Sequence, residues 1–408
     1  MRIVFICQWN PWRLDGGALI RNAWLLRALA SRFEVDLVTA DDDASEVPAE
    51  FATVCASISR FPRTMGFRGK ALRALGALRA NGSFYTSGST SSALRAAVRQ
   101  LTRHGDCVAM LDLRMIDAID GSRVPFVYNA HNTEHQLLLR RAEHEPEPLR
   151  SLLAFEAARV ARIEGRVIRN ARLVASCSEN DRRELLDLAP EATDRILVVP
   201  NGVDTHGYAA VAKTRGDART VLITGSFDWR PNLIGLDWFL AEVLPALRDR
   251  LADGGYAIRI AGRMNDELVA RLRGVEGITA VPNPRDMRTE LQRARIVAAP
   301  IVASSGTRLR ILEAWAAGRP VVTTGAGALG LHYCDGENLL IADRPLEFAD
   351  AVGRVLDNVF LQERLRVAGL LRARDYDWGR IGGEFVDRAG PMLEAACGSS
   401  GERVPSAK

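Results

Sequence analysis

Short apolar runs alternate along the chain with amphipathic segments of helical length. The runs of strand length in the first half are Ile3–Cys7, Glu34–Ala40, Asp106–Asp112, Pro125–Ala130, Arg172–Ser178 and Ile196–Pro200. The segments between them have helical spacing, and the longest extends from Leu149 to Asn170. Ser178 followed by Asp181 is a variant capping box that marks the start of a helix. Strands separated by helices predict βαβ units and a parallel sheet.

The alternation stops at Pro200 and then begins again. Residues 200–220 are rich in turn formers and poor in large apolar side chains, which predicts a linker. Five further strand-like runs follow, namely TVLITGS, YAIRIAG, GITAVP, RIVAAP and RPVVTTG. We therefore predict an α/β fold with two doubly wound, Rossmann-like domains. The predicted segments are a first domain (1–205), a linker (206–218), a second domain (219–378), a helix returning to the first domain (379–396) and a disordered tail (397–408).

Length and composition agree with a globular, two-domain protein. The 408 residues exceed one hydrophobic core, and 47% hydrophobic with 25% charged residues is an ordinary balance. The six cysteines are scattered without a CxxC pair, which favours a reducing compartment over disulfides or zinc. The start lacks a signal-peptide pattern, and no apolar run approaches the ~20 residues of a spanning helix. A cytoplasmic location is expected.

Positive charge is concentrated in one stretch of the chain. Residues 51–105 contain no Asp or Glu but nine Lys or Arg, whereas the whole chain has a net charge of only +4. Within this stretch, Leu72, Leu75 and Leu78 lie three apart between arginines, which is typical of a basic amphipathic helix. It could dock on anionic lipid or be an ordinary solvated helix. Because regularly interleaved aromatic residues are absent, nucleic acid is not an expected partner.

The segment SSGTRLRILEA follows a predicted strand and opens a helix. Ligands of parallel sheets bind beyond the carboxyl ends of the strands. Gly306 would allow close approach, the N–H groups of Thr307 to Leu309 would face a phosphate, and Arg308 could add a charged bond. Glu313, about one and a half turns further on, could accept two ribose hydroxyls. The alternative is a surface ion pair between Arg310 and Glu313.

Two other loops could approach the same phosphates. In GSFDWRPN, Gly225 and Ser226 offer donors, and Asn232 is expected to begin the following helix. DGGALIRN contains the pair Gly16 and Gly17, but it lacks the full GxGxxG pattern. Each loop could equally be an ordinary turn between a strand and a helix.

A polar cluster follows the strand PFVYNA. His131, Asn132, Glu134 and His135 supply hydrogen-bonding groups and a possible acid or base at a strand's carboxyl end. Histidines four apart can bind zinc, but neither an HExxH pattern nor a third ligand is evident here. We interpret the cluster as part of a binding site rather than as a metal centre.

Taken together and in this order, VPNGVD, GSFDWRPN and GTRLRILEAWAAGRPVVTT resemble the retaining glycosyltransferases of family 4. The resemblance is to the bacterial cell-surface polysaccharide branch, whose donor loop has a GTRLK-ILEA form, and NAHNTEH and DGGALIRN fit its first domain. It implies the GT-B fold, in which two Rossmann-like domains face each other across a cleft. The donor would bind the second domain and the acceptor the first.

The resemblance also implies roles for particular residues. The expected catalytic residues are His131, Arg308 and Glu313. The expected donor-binding residues are Gly16, Gly17, Ser226, Asn232, Arg263, Pro282, Gly306, Thr307 and Leu309. The expected acceptor-binding residues are Arg21, Asn132 and Glu134.

The chain departs from the family pattern at two places. Ser305 stands where the family has its first motif glutamate, which normally contacts the donor sugar, so the resemblance does not identify the sugar. The usual Arg and Lys after the first strand of the second domain are also absent, and Ser226 and Asn232 stand near those positions. Arg308, Arg310 or Arg230 could supply the missing positive charge.

The implied reaction is hexosyl transfer from a nucleotide diphosphate sugar with retention of anomeric configuration. No metal or other cofactor is expected. The expected partners are the donor, a glycan or polyprenyl-diphosphate-linked acceptor, and an anionic membrane surface reached through residues 51–105. The protein would then be cytoplasmic and peripheral on the inner face of the plasma membrane. A nucleotide-sugar 2-epimerase of the same fold and a non-catalytic nucleotide-sugar-binding scaffold remain alternatives.

Overall fold

The computed structural model describes residues 1–14, 16–41, 43, 45–62, 82–87, 89–143, 145–216, 219–302 and 309–398. The chain divides into two compact units. Unit 1 consists of Met1–Pro200 together with Ile381–Lys408, and unit 2 consists of Asn201–Arg380.

Unit 1 is built on a parallel sheet. Its described strands are β1 (Arg2–Cys7), β2 (Glu34–Thr39), β3 (Ser57–Arg60), β4 (Cys107–Leu111), β5 (Phe126–Asn129), β6 (Leu173–Ser176) and β7 (Ile196–Val198). They lie in the order β3-β2-β1-β4-β5-β6-β7. In the centre, Ile3 lies opposite Val35 on one side and Val108 on the other. The order reverses at β1, so β2 and β4 flank it, as in doubly wound folds.

The helices of unit 1 connect these strands. They are α1 (Gly17–Ala30), α2 (Ala49–Val54), α3 (Ser92–Leu101), α4 (Glu134–Ala142), α5 (Leu149–Asn170) and α6 (Glu179–Leu186). The capping box that the sequence predicts at α6 is confirmed, because the Ser178 hydroxyl accepts from the Asp181 N–H at 3.1 Å and lies 2.7 Å from its carboxylate. Apolar side chains of the sheet, such as Val4 and Leu111, pack with Val160 and Ile168 of α5 in one core.

Unit 2 has a second parallel sheet. Its strands in the described part are β8 (Thr220–Ser226), β9 (Ala257–Arg263), β10 (Ile278–Pro282), β11 (Ile296–Ala299), β12 (Val321–Thr323) and β13 (Leu340–Ile341). Their order is β10-β9-β8-β11-β12-β13, and it reverses at β8. Gly225 and Gly262 lie opposite each other in β8 and β9, and a Cβ on Gly262 would stand 1.8 Å from the Gly225 carbonyl oxygen. This close approach, at a φ of +144°, requires glycine at position 262.

The helices of unit 2 separate the strands and then run into unit 1. They are α7 (Thr205–Ala212), α8 (Arg230–Trp238), α9 (Leu244–Gly254), α10 (Asp266–Arg273), α11 (Met287–Arg293), α12 (Leu309–Ala316), α13 (Gly325–Ala328), α14 (Pro345–Asp357), α15 (Val359–Asp375) and α16 (Trp378–Gly398). One core of unit 2 joins Val221, Phe239 and Phe348. The division between the units falls within α16.

The predicted linker at 206–218 contains most of α7, a helix that belongs to unit 2. The Asp204 carboxylate caps this helix by accepting from the Gly207 N–H at 2.9 Å. Tyr208 and Val211, three residues apart, are its buried face. The small number of large apolar residues concealed the helix in the sequence, because two on one face are enough when a cap fixes the start.

The predicted fold class is confirmed, and every predicted strand is present. β3 and β13 were not predicted, because four residues with one Ile and a two-residue strand give almost no periodic signal. Helix α8 begins at Arg230, two residues before the predicted start, with Pro231 in its first turn. The last helix extends beyond the predicted 379–396 at both ends, and residues 399–408 of the predicted tail lie outside the described residues.

Part of the basic stretch at 51–105 lies outside the described residues. Residues 63–81, which include the predicted amphipathic segment with Leu72, Leu75 and Leu78, lie outside the described residues. Among the helices that the structure does describe, none is both long enough and apolar enough to span a bilayer.

The six cysteines are free thiols. Cys7, Cys55, Cys107 and Cys177 are buried, Cys397 is partly exposed, and Cys334 is exposed.

Candidate functional site

The carboxyl ends of β4 and β5 carry the polar cluster of unit 1. The carboxylate of Asp112 follows β4 and accepts from the Arg114 N–H at 2.9 Å. His131 and Asn132 follow β5, and Glu134 opens α4. Since β4 and β5 are neighbours, these groups share one edge of the sheet, where doubly wound folds bind ligands.

A buried carboxylate on α5 holds this loop in place. Glu164 is fully buried and accepts from the Tyr128 hydroxyl at 2.8 Å and from the N–H groups of Glu134 and His135. Nδ1 of His135 lies 2.8 Å from the same carboxylate. His135 is therefore a structural residue of the site, and Glu164 fixes where the β5–α4 loop projects.

Among the described residues of this loop, the His131 ring and the Thr133 hydroxyl are buried without a hydrogen-bond partner. Both ring nitrogens are buried, and neither has a hydrogen-bond partner among the described residues. Burial, with Arg21 and Arg114 nearby, lowers the pKa of His131 to about 3. The imidazole is therefore neutral at physiological pH, and it offers one donor and one acceptor to a ligand.

Glu134 is buried beside groups that hold its carboxylate. The Tyr85 hydroxyl donates to it, and the Arg114 guanidinium carbon lies 4.1 Å from the centre of the Tyr85 ring. Burial raises the pKa of Glu134 to about 7, despite the opposing effects of Arg114 and Tyr85. Burial likewise raises the pKa of Asp112 to about 6. Both carboxyl groups thus titrate close to neutral pH.

The side chain of Arg21 is buried and hydrogen-bonded within unit 1, which disfavours its predicted contact with an acceptor. Its side chain is fully buried, and it donates to the Asn129 amide oxygen at 2.9 Å and to the carbonyls of Val199 and Ala175 at 2.5 and 3.2 Å. These partners lie at the ends of β5, β6 and β7. The guanidinium therefore ties α1 to the sheet edge and acts as a positioning group.

The other predicted residues of unit 1 lie at the same edge. Gly16 is the N-cap of α1, and Gly17 is its first residue. Asn132 is partly exposed in the β5–α4 loop. Their predicted contacts with donor and acceptor stay predictions.

In unit 2, the centre of the candidate site is Glu313 on α12. Its carboxylate accepts from the hydroxyl of Tyr208 on α7, and Arg310 stands one turn earlier on the same helix. Burial raises the pKa of Glu313 to about 7, while Tyr208 and Arg310 oppose this shift. Glu313 and Arg310 are both partly buried, and each charge shifts the pKa of the other, so the alternative of a pair between them stays open.

Ser226 and Asn232 stabilise the β8–α8 turn. The Asn232 side-chain amide donates to the Ser226 carbonyl at 2.8 Å, and the Ser226 hydroxyl donates to Asp228 at 2.9 Å. Asp228 also pairs with Arg263 at 2.8 Å, both side chains being about half exposed. Ser226, Asn232 and Arg263 thus each have a partner within this turn. Their contacts with the donor stay predictions.

Of the remaining predicted donor residues, some belong to the described part of the chain and others do not. Pro282 ends β10 and is exposed, and Leu309 is the first described residue of α12. Gly306, Thr307 and Arg308 lie outside the described residues, as does Ser305.

Several residues of the two clusters escaped sequence analysis. Tyr85, Arg114, Glu164 and Tyr208 lie far along the chain from the groups they contact, and only the fold brings them together. Arg114 had one usable signal, because it comes directly after a predicted strand. The others lie in helices or turns, where an isolated Tyr or Glu is unremarkable.

The architecture defines the fold. Two Rossmann-like units with parallel sheets in one chain form the GT-B fold, and solved structures of this fold match nearly the whole chain. A crystal structure of Anabaena HepE with UDP and glucose matches with a TM-score of 0.63 at 15% identity, covering 96% of this chain and 99% of that one. Sucrose-phosphate synthase of Thermosynechococcus elongatus matches with a TM-score of 0.70 at 16% identity, covering 97% and 100%.

Two protein-family models match the sequence. The model described as Glycosyltransferase Family 4 matches residues 15–206, and the model described as Glycosyl transferases group 1 matches residues 218–358. The two matches together extend over most of the chain, so its sequence is similar to glycosyltransferases of this type in both units.

Curated relatives are similar over part of their length. A phosphatidyl-myo-inositol mannosyltransferase of Mycobacterium tuberculosis is 28% identical over 204 residues, covering 46% of this chain and 52% of that protein. A D-inositol 3-phosphate glycosyltransferase of Acidothermus cellulolyticus is 30% identical over 278 residues, covering 62% and 59%. The chain thus spans about half to three fifths of the length of these relatives.

Proposed function

We propose that this chain is a retaining glycosyltransferase that moves a hexosyl group from a nucleotide diphosphate sugar to a glycan or lipid-linked glycan. The observation that carries the proposal is the Glu313 carboxylate, held by Tyr208 and accompanied by Arg310 at the start of α12. Carboxylates in this setting accept the two hydroxyls of a ribose. In this proposal, unit 2 binds the nucleotide and unit 1 binds the acceptor.

The reaction breaks the bond between the anomeric carbon and the diphosphate oxygen. A new bond forms on the same face between that carbon and an acceptor hydroxyl, whose proton passes to the leaving phosphate. The products are a nucleoside diphosphate and a glycoside with the original anomeric configuration. Cationic side chains and helix N–H groups stabilise the charge that develops on the leaving oxygen. This scheme uses neither a metal nor a covalent enzyme intermediate.

His131 is the residue of unit 1 that we assign to the transferred sugar. Its two buried ring nitrogens have no partner in the described part of the chain, so a sugar hydroxyl would satisfy them. Because the ring is neutral, it orients the sugar by hydrogen bonds rather than acting as a charged acid. Glu134 and Asn132, on the same loop, are assigned to the acceptor.

The comparisons suggest which substrates to test first. The crystal structures of HepE contain UDP or UDP-glucose, and curated relatives are named for phosphatidyl-myo-inositol and inositol phosphate acceptors. UDP-sugars and polyprenyl-diphosphate-linked or inositol-containing lipids are therefore the first candidates. Synthesis of bacterial cell-surface polysaccharide would use such a transfer.

We also propose that the protein binds the inner face of the plasma membrane as a peripheral, cytoplasmic protein. The basic residues of 51–105 would contribute about 1 kcal/mol each near an anionic surface. The exposed Leu152 and Phe155 of α5 support this surface, since each is at least 60% exposed. Gly82, the first described residue after 63–81, contacts the same helix, because Arg159 on α5 donates to the Gly82 carbonyl at 2.9 Å.

Nucleotide binding tests the donor site directly. Melting temperatures of the purified protein should be measured with UDP, GDP and ADP, and repeated with Glu313→Ala. We expect one nucleotide to raise the melting temperature of the wild type and to lose this effect in the variant. If no nucleotide at millimolar concentration raises it, the assignment of the donor site is wrong.

Turnover separates the transferase from the two alternatives. The matching nucleotide sugar should release nucleoside diphosphate only when an acceptor is present, and the product should retain the anomeric configuration by NMR. Release of nucleotide with formation of an epimerised sugar would indicate a 2-epimerase. Binding without any turnover across acceptors would indicate a scaffold.

A further inference from the structure

Helix α15 of unit 2 has apolar side chains on two opposite faces. Its inward face contains Leu361, Leu365, Gly369 and Ala373, which recur every four residues and are buried. Leu361 and Leu365 belong to the core of unit 2, and a Cβ on Gly369 would stand 2.7 Å from the Trp315 ring of α12. This close contact fixes the rotation of the helix about its axis, so its other face stays exposed.

The exposed face carries a stripe with the spacing of a coiled coil. Phe360 is 90% exposed, Leu371 is 64% exposed and Val367 is 52% exposed. These three residues and the exposed Arg364 and Arg374 follow one another at steps of four and three, and we call the five the outer stripe of α15. Such spacing places all of them on one narrow side of a helix. Single exposed apolar residues are ordinary, whereas a contiguous apolar stripe is typical of a surface that binds a partner.

The charges along this stripe favour a second copy of the chain in antiparallel orientation. Asp357 lies two residues before α15, Arg374 lies near its end, and both are exposed. In an antiparallel pair, Asp357 of each copy comes beside Arg374 of the other, which gives two ion pairs. A parallel pair would instead place Arg364 and Arg374 beside their own copies, and like charges repel. The exposed carboxylates of Asp357 and Asp375, one at each end, disfavour an anionic membrane as the occupant.

The apolar residues fit the same register. When the two ion pairs form, Phe360 of each copy faces Leu371 of the other, and Val367 faces the aliphatic stem of Arg364. All of these pairs are centred on one point of the helix, midway between Arg364 and Val367, as a twofold axis requires. Each exposed apolar side chain of the outer stripe is thereby covered.

We propose that the protein forms a homodimer in which the outer stripes of two α15 helices pack antiparallel. This inference goes beyond the proposed function, because it concerns a surface of unit 2 and no substrate. A helix of 17 residues is about 25 Å long, so one helix pair buries less than the roughly 1,600 Å² of a standard interface. The dimer should therefore be weak and should depend on the protein concentration.

Sedimentation velocity of the full chain without lipid tests the dimer between about 1 µM and about 500 µM. We expect the wild type to change from monomer to dimer over this range. Phe360→Glu should weaken dimerisation about 30-fold or more, because it places a carboxylate against Leu371 at both ends of the interface. Phe155→Glu, at an exposed phenylalanine of unit 1, is the matched control and should dimerise like the wild type.

Charge reversal tests the antiparallel orientation. Asp357→Arg and Arg374→Asp should each weaken dimerisation about 5-fold or more, because two ion pairs become two repulsive contacts. The double variant should regain most of the wild-type affinity, since opposite charges then face each other again. All of these positions are exposed, so the melting temperatures should match that of the wild type.

A wild type that stays monomeric over the whole range would overturn the proposal. Loss of the dimer in Phe155→Glu but not in Phe360→Glu would also overturn it, as would a double variant that remains as weak as the single ones. If the wild type is monomeric and Phe360→Glu instead reduces cosedimentation with vesicles of anionic lipid, the outer stripe is a membrane contact. These measurements use no nucleotide, so their failure is distinguishable from failure of the proposed function.

Discussion

The buried ionisable side chains of this protein differ in whether the fold provides their partners. Arg21 and Glu164 are fully buried, and backbone groups or neighbouring side chains bind their polar atoms. The ring nitrogens of His131 lack such hydrogen bonds within the described residues, and His131 lies at an edge where parallel sheets bind ligands. Since a buried polar group without a partner is costly, these nitrogens indicate where ligand atoms belong.

His131 should make the protein sensitive to acid. Its pKa is lowered to about 3 in the fold, so below about pH 6.5 the unfolded chain binds a proton that the folded chain does not. Stability therefore falls as the pH decreases below 6.5, and the loss ends only near pH 3. Between pH 7 and 5, this residue should cost about 2 kcal/mol of unfolding free energy.

Urea unfolding of wild type and His131→Asn at pH 7 and pH 5 measures this contribution. We expect the variant to lose about 2 kcal/mol less than the wild type over this interval. His206→Asn, at an exposed histidine, should behave like the wild type. Identical pH dependence in wild type and His131→Asn would show that the imidazole is protonated freely in the fold.

At the scale of elements, sequence patterns predicted the helices and strands that have a periodic apolar pattern. They missed features that depend on contacts between distant parts of the chain. Long apolar runs gave the strands at the centres of both sheets, because burial on two faces leaves a continuous signal. The same patterns singled out His131, which comes after β5, and Glu313, which lies in the helix after β11. They did not predict α7, which contributes to the site the hydrogen bond between Tyr208 and Glu313. No local pattern contains that contact, because the two residues are about 100 positions apart.

Tyr208 should set the pH range in which the nucleotide binds. Glu313 accepts ribose hydroxyls best as a carboxylate, and its pKa of about 7 means that affinity falls as the pH decreases through 7. The hydrogen bond from Tyr208 opposes the rise of this pKa. In Tyr208→Phe, the midpoint of the pH dependence should therefore move to higher pH.

Nucleotide affinity measured from pH 6 to 9 tests this shift. Glu313→Gln should lose this component of the pH dependence, and Tyr333→Phe, at an exposed tyrosine, should retain the wild-type midpoint. If Tyr208→Phe weakens binding equally at every pH, Tyr208 contributes only to stability.

Two adjacent glycines of α16 should respond in opposite ways to alanine. A Cβ on Gly382 would stand 2.8 Å from Cβ of Ala28 on α1, whereas a Cβ on Gly383 meets nothing within 4 Å. Gly383→Ala should raise the unfolding free energy by about 0.5–1 kcal/mol through helix propensity. Gly382→Ala should lower it, because α16 must move away from α1. Chemical unfolding of both variants decides the matter, and equal effects would contradict the close packing of these helices.

At the scale of the whole molecule, the two units have separate sheets and separate hydrophobic cores. The candidate groups for the nucleotide are mainly in unit 2, and those for the acceptor are in unit 1. Because of this separation, each ligand would stabilise mainly the unit that binds it. The basic stretch at 51–105 belongs to unit 1, on the side of the chain assigned to a membrane-bound acceptor.

Hydrogen exchange should reveal this separation. We expect a bound nucleoside diphosphate to slow amide exchange in 220–232 and in Leu309–Ala316 of unit 2. The central strands of unit 1, β1 and β4, should keep their rates, because the nucleotide is assigned to unit 2 and these strands belong to the separate core of unit 1. Equal slowing in β1 and β4 would contradict the assignment of the nucleotide to unit 2. The same measurement on Glu313→Ala provides the matched control.

The uneven exposure of the cysteines has a practical consequence. A maleimide dye has one exposed target in unit 2, Cys334, and one partly exposed target in unit 1, Cys397, while the other four thiols are buried. A hydrogen bond with Glu337 raises the pKa of Cys334, so labelling proceeds fastest under mildly alkaline conditions. The natural protein therefore carries one attachment point in each unit. A donor and acceptor dye pair placed there would make the distance between the units measurable by fluorescence during turnover.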